Sequence, residues 1–146
     1  MRIMAIDYGD ARTGIAVSDE SAVIAGEAWA LQEKNAQKAA RAISAEAVSR
    51  GVGVIVVGYP KNMNGTAGPR AEKSEQFAES LRNQCNIEVV LWDERMTTIS
   101  ANRILTETGK HGKKRKKTVD AVAASLILES YLVYLRGKSG LREHEG

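Results

Sequence analysis

Four consecutive β-branched residues, Val54-Ile55-Val56-Val57, stand between Gly53 and Gly58. A strand with one wet face alternates apolar and polar side chains, and this one does not. It suits a strand buried on both faces, as in a parallel sheet covered by helices on each side. The chain around it fits that frame. Residues 2–7 and 13–18 read as short apolar strands joined by the turn Tyr8-Gly9-Asp10-Ala11-Arg12, where Gly9 is free to take a positive φ, and residues 24–31 as a weaker third strand. Apolar residues recur at helical spacing over 33–50 (Ala36, Ala39, Ala40, Ile43, Ala47), and Gly51 stops that helix. Pro69 opens a helix to about residue 84, and 87–92 reads as a fifth strand. Thr97 or Thr98 is placed to cap a helix to about 108, and Thr118 to cap a last one to about Arg136. The order predicts a mixed sheet of five strands between helices, an α/β domain over residues 1–136 with a polar tail, 137–146.

Composition narrows the chemistry. Of 146 residues, 43% are hydrophobic and 27% charged, the balance of a globular chain rather than a disordered or fibrous one. The net charge is +3, yet Lys110–Lys117 holds six cations and no acid, so the remainder is mildly acidic. One cysteine, Cys85, excludes an intrachain disulfide and a cysteine zinc site. The two histidines, His111 and His144, lie in polar segments, which argues against a Ser-His-Asp triad. No apolar run is long enough for a bilayer, and an acid at position 7 comes too early for a secretory signal, so the expected location is cytoplasmic.

Three acidic positions stand out. Asp7 ends an apolar strand, where a carboxylate must be solvated, paired or bound to a cation; it either caps the turn or serves a site. Asp93-Glu94-Arg95 ends the fifth strand. Adjacent strand residues face opposite ways, so one of Asp93 and Glu94 is expected at any one site; the alternative is a solvated strand exit with a local Arg pairing. Asp120 shares a helical face with Ala123, Ala124 and Ile127, an apolar setting for an acid. Carboxyl ends of strands are where α/β sheets build sites. Converging carboxylates without histidine or cysteine suit a hard cation, Mg²⁺ or Mn²⁺, and two such ions can activate a water and stabilise a leaving oxygen on phosphorus.

The loop Gly58–Arg70 is long for a strand–helix connection, offers glycine-rich backbone N–H groups and runs into a helix N-terminus, a seat for phosphate. It is no Walker A loop, since Lys61 precedes Gly65 and no Gly-Lys-Ser/Thr occurs. The basic run Lys113-Lys114-Arg115-Lys116-Lys117 suits a polyanion or a solvated linker. Aromatic residues are 5%, so stacking platforms for bases are not evident.

Four segments in order, Asp7–Ala16, Val57–Arg70, Trp92–Thr98 and Lys117–Ala124, resemble the YqgF-type (RuvX-like) family of Holliday-junction-resolvase-like proteins, linked to nuclease processing of pre-16S ribosomal RNA. The resemblance covers residues 1–135 and implies a ribonuclease-H-like three-layer fold, a five-stranded mixed sheet with helices on both faces. It implies Asp7, Asp120 and an acid of the Asp93-Glu94 pair as metal-binding residues, with Glu94 favoured by analogy with related resolvases. It places Arg12, Arg95 and the loop carrying Lys61, Asn64, Thr66 and Arg70 beside the substrate backbone, with Lys113–Lys117 adding charge. Some resolvases carry a further acid on the last helix; here Ala123 and Ala124 stand there, and Glu129 is too far along.

The resulting expectation is a metal-dependent endonuclease acting on structured RNA, with ribosome-assembly factors as partners and no membrane, as a monomer or weak homodimer. Cleavage of branched DNA is the alternative, and a non-catalytic rRNA-binding module the second. The opening hairpin also resembles the phosphate loop of sugar kinases and actin-like ATPases, which need two such domains where this chain holds one.

Overall fold

The computed structural model describes residues 1–60, 68–96 and 112–145, with the side chains of Met96, 112–118 and 139–145 left aside. The expected helix between residues 97 and 108 lies outside the described residues, as do Lys61, Asn64 and Thr66.

The strands are β1 (Arg2–Asp7), β2 (Arg12–Ser18), β3 (Ala25–Gln32), β4 (Val52–Tyr59) and β5 (Glu88–Asp93). They form one sheet in the order β3-β2-β1-β4-β5. β1 pairs antiparallel with β2 and β2 with β3, the meander expected from the short links; β4 runs parallel to both β1 and β5. The β-branched run is thus a central strand. Its alternate residues face two cores, Ile55 and Val57 one way and Val54 and Val56 the other, all buried. Fully burying a side chain of this size contributes about 1.5–3 kcal/mol, so both layers of helices are anchored on one strand.

On the first face lie α1 (Ala36–Ser49) and α2 (Pro69–Gln84). Asn35 caps α1 by accepting a hydrogen bond from the Lys38 backbone N–H at 3.0 Å, and Gly51, at φ +68°, ends it in the left-handed region. Ala39, Ala40, Ile43 and Ala47 of α1 and Phe77, Ala78 and Leu81 of α2 join Met4, Ile6 and Ile15 in this core. Cys85 is partly buried against it as a free thiol, and its Sγ donates to the Leu81 carbonyl at 3.3 Å.

The second face is covered by α3 (Gly112–Glu145), through Ala124, Ile127, Leu128, Tyr131 and Leu132 against Ile3, Ala5 and Ala16. Trp92 of β5 meets Tyr131 edge-on at 5.4 Å and donates its indole N–H to Ser130 Oγ at 3.2 Å. Two expectations are corrected here. Thr118 lies inside α3 rather than capping it, because the helix starts at Gly112 and takes in the backbone of 113–117. Residues 137–145 continue the same helix and form no separate irregular tail. Lys and Arg are strong helix formers, so a cationic run carries a helix as readily as it interrupts one.

Gly14 sets how closely α3 approaches the sheet. A Cβ there would collide with the Asp120 carbonyl and come within 3.3 Å of Ala124 Cβ. Gly14 is also the cross-strand partner of Asp7, so this contact lowers the first turns of α3 onto the end of β1. Gly14→Val is expected to destabilise the protein by about 1–3 kcal/mol through overpacking, read as a lower urea midpoint. Gly137→Ala, in the same helix with nothing within 4 Å of its missing Cβ, is expected to stabilise by about 0.5–1 kcal/mol.

Candidate active site

Alternation along β1 decides where the site forms. Ile3 and Ala5 face α3, and Asp7 continues that row at the carboxyl end of the strand. Arg12 and Gly14 of β2, followed by Ala16, lie on the same side, as do Val54, Val56 and then Gly58 of β4. The first turn beyond β5, a 3-10 turn over Glu94–Met96, brings in Glu94.

Asp7 and Glu94 are hydrogen-bonded to each other although β4 lies between their strands. Gly58 makes this reach feasible. A Cβ on it would stand 2.5 Å from Glu94 Oε1, 2.9 Å from Glu94 Cδ and 2.7 Å from Ile127 Cδ1. The central strand thus ends in a gap that the Glu94 carboxyl fills. Two carboxyl groups in contact cannot both ionise cheaply. Burial, then the Asp7 charge, raise the Glu94 pKa to about 8. Burial also raises that of Asp7, against the lowering effects of the bond from Glu94 and the Arg70 charge. Both shifts favour the protonated carboxyl, more strongly at Glu94.

Asp120 completes the group from α3. Its Oδ2 is 3.4 Å from Arg12 Nε, within ion-pair range, yet this oxygen is buried and has no hydrogen-bond partner among the described residues. Burial raises its pKa, Arg12 opposes that, and the Asp7 charge raises it further. Arg70, in the first turn of α2, acts electrostatically on Asp7, Glu94 and Asp120 together. Among the described residues no three His, Cys, Asp or Glu side chains already enclose an ion-sized site. Asp7 and Glu94 are in contact, and Asp120 stands beside them on Arg12. The donor set nevertheless fits a hard divalent cation: every donor is oxygen, a buried oxygen of Asp120 has no hydrogen-bond partner among the described residues, and the raised pKa values of Asp7 and Glu94 mark negative charge that a cation would offset.

Asp93 and Glu94 are separated by their surroundings. Arg95 clasps Asp93, with Nη2 2.6 Å and Nε 2.9 Å from Oδ2, and its backbone N–H donates to Oδ1 at 3.0 Å. Glu94 goes to Asp7. Arg95 is therefore tied to the acid beside it and Arg12 to Asp120. Lys113–Lys117 lie in the first turns of α3, upstream of Asp120. Gly9 corrects an expectation: its φ is not positive, and what it supplies is the missing Cβ, which would collide with the Arg12 carbonyl across the turn.

Comparison with known proteins agrees with this arrangement. The sequence pattern of one family, described as RuvX, Holliday junction resolvase, matches residues 1–134. The chain belongs to the RuvX family. Two relatives named "Putative pre-16S rRNA nuclease" are those of Geobacillus kaustophilus, 46% identical over 134 residues (90% of this chain, 97% of the relative), and Halothermothrix orenii, 42% identical over 134 residues (92% and 96%). Among solved structures, Thermus thermophilus RuvC in complex with a Holliday junction substrate aligns with a TM-score of 0.60 at 12% identity, covering 94% of this chain and 96% of that one. Fowlpox virus resolvase with Holliday junction DNA gives 0.58 at 15%, covering 92% and 99%. The ribonuclease-H-like three-layer fold expected from the sequence is the fold observed. This RuvX-family chain is thus a member of a nuclease family, and among its described residues no helix is long and apolar enough to cross a membrane.

Gly58 and Gly14 were not singled out from the sequence as site residues, and both shape it. The available signal was a glycine inside an apolar strand, a mark of close approach.

The raised Glu94 pKa sets a pH dependence. Between its ordinary value of 4.5 and about 8, the unfolded chain has lost a proton that the native state keeps. Stability therefore falls as pH rises through that window. In chelator, urea unfolding is expected to show the protein less stable at pH 8 than at pH 5 by on the order of 1–3 kcal/mol, with the slope flattened in Glu94→Gln. Gly58→Ala is expected to abolish this slope too, since its methyl group displaces the Glu94 carboxyl.

Proposed function

We propose that this RuvX-family chain is a metal-dependent endonuclease that hydrolyses phosphodiester bonds in structured nucleic acid, processing the 5′ end of pre-16S rRNA in the cytoplasm. The observation that carries the reading is the half-buried Asp7–Glu94 pair, with the Asp120 oxygen that has no hydrogen-bond partner among the described residues beside it, at the carboxyl edge of the parallel strands. The names of its relatives support the RNA substrate, and the family description supports a four-way DNA junction as the second.

Asp7, Glu94 and Asp120 would hold Mg²⁺ or Mn²⁺, Asp7 acting electrostatically on both other acids. A bound divalent ion supplies positive charge to the phosphate oxygens and lowers the pKa of a water. The chain does the rest. A proton held by Asp7 or Glu94 would have to leave for both to serve as ligands, which would couple cation uptake to pH. Arg70, whose charge reaches all three acids, orients the phosphate and offsets the charge gathering on it. Arg12 holds Asp120 against the sheet. Water adds to phosphorus, the P–O bond to the 3′ oxygen breaks, and the products carry a 5′-phosphate and a 3′-hydroxyl.

The decisive assay incubates end-labelled pre-16S rRNA fragments and four-way DNA junctions with Mg²⁺, Mn²⁺ or chelator. The wild-type chain is expected to cut only with metal, and Asp7→Asn to lose at least a hundredfold in rate, the order of effect of removing one electrostatic group from such a site. Asp93→Asn is expected to retain most activity, because Asp93 is engaged with Arg95. Binding without cleavage under every metal condition leaves the recognition module as the function.

A further inference from the structure

The site described so far occupies the α3 side of the sheet edge. Tyr8, the next residue after Asp7, points to the other side, where its ring stacks on Phe77 of α2 with centroids 4.3 Å apart and planes at 19°. Between the β1–β2 turn and the start of α2 lies a cleft of about 330 Å³ lined by Tyr8, Gly9, Asp10, Pro69, Arg70 and Lys73. Arg70 and Lys73 are one helical turn apart on α2, and Phe77 is one turn further, so the stacked ring fixes the helix face that carries both cations. Arg70 already reaches the acids electrostatically. Lys73 is the outlying cation, and its Nζ is held by Asp10 Oδ1 at 3.1 Å.

We infer that this cleft is a second phosphate subsite, in which Lys73 binds the RNA backbone phosphate next to the one being cut and Asp10 holds Lys73 in place until that phosphate displaces it. The inference rests on the nuclease reading and adds to it a substrate-positioning residue. The Lys73–Asp10 pair is wet, its side chains 55% and 75% exposed, and such pairs are weakly held and exchangeable. A phosphate dianion or diester offers Lys73 the same oxygen chemistry as the carboxylate. The cleft walls suit a backbone rather than a base: Gly9 leaves the turn uncovered, Arg70 and Lys73 line the opposite wall, and the Tyr8 ring is already stacked on Phe77. A strand crossing the sheet edge would pass from the acids on one side of β1 to Lys73 on the other.

The test measures binding of a labelled pre-16S rRNA fragment in Ca²⁺ across a salt series, and cleavage in Mn²⁺. Lys73→Ala is expected to weaken binding about tenfold and to reduce the slope of log K against log salt by about one. KM rises accordingly and kcat is unchanged, while Lys73→Arg stays near wild type. Asp10→Asn is expected to bind a few-fold more tightly, since the competing carboxylate is gone. Arg136→Ala, about 24 Å along α3 from Asp120, controls for loss of one positive charge. Wild-type binding unchanged in Lys73→Ala overturns the subsite alone. Equal weakening in Lys73→Ala and Asp10→Asn also overturns it, because the ion pair is then a structural brace. A wild-type chain that binds no RNA at any salt overturns the nuclease reading itself, and the subsite with it.

Discussion

Two carboxyl groups, Asp7 and Glu94, meet across the end of a strand that has no side chain there. Everything about the site follows from that contact. It requires β1, β4 and β5 to run parallel, so that their carboxyl ends share one edge. It requires Gly58 at the end of the central strand, because any Cβ would occupy the space of the Glu94 carboxyl. Burial raises the pKa of both carboxyl groups, and the Asp7 charge raises that of Glu94 further, to about 8. The fold thus stores an unfavourable electrostatic arrangement at one edge, and the two packed cores hold it there.

The two helical layers have different tasks at that edge. α3 delivers an acid: Gly14 admits the helix backbone, Ala124 packs beside it, and Asp120 arrives next to Asp7 on the support of Arg12. α2 delivers cations: Pro69 begins the helix, and Arg70 and Lys73 follow on the face fixed by the Tyr8–Phe77 stack. A sheet edge flanked by acids on one side and cations on the other is suited to a polyanion whose charge must be neutralised in two places, at the reacting phosphate and along its backbone.

Much of this was legible along the chain. Continuous β-branched residues in β4, helical spacing in α1 and Pro69 at the start of α2 each reflect local preferences that packing did not override. The limits of α3 were not legible. Thr118 looked like a cap because threonine favours caps, but burial of Ala124 through Leu132 stabilises one long helix that takes the cationic run and the polar tail with it. Asp7, the Asp93-Glu94 pair and Asp120 could be singled out as acids beside apolar runs, and the family's motifs put them in order. Lys73 and Asp10 could not, since an exposed Lys and an exposed Asp in a loop carry no local signal.

By itself the sequence determined the five strands, the helices α1 and α2, the faces they bury and the acids that end β1 and β5, because those depend on neighbours a few positions away along the chain. Only the tertiary structure decided that Glu94 rather than Asp93 meets Asp7, that Arg95 holds Asp93, and that two glycines make the approach feasible. These outcomes depend on which strand lies between two others and on where a helix crosses a sheet. Contacts between residues far apart in the chain are set by packing, and no local preference encodes them.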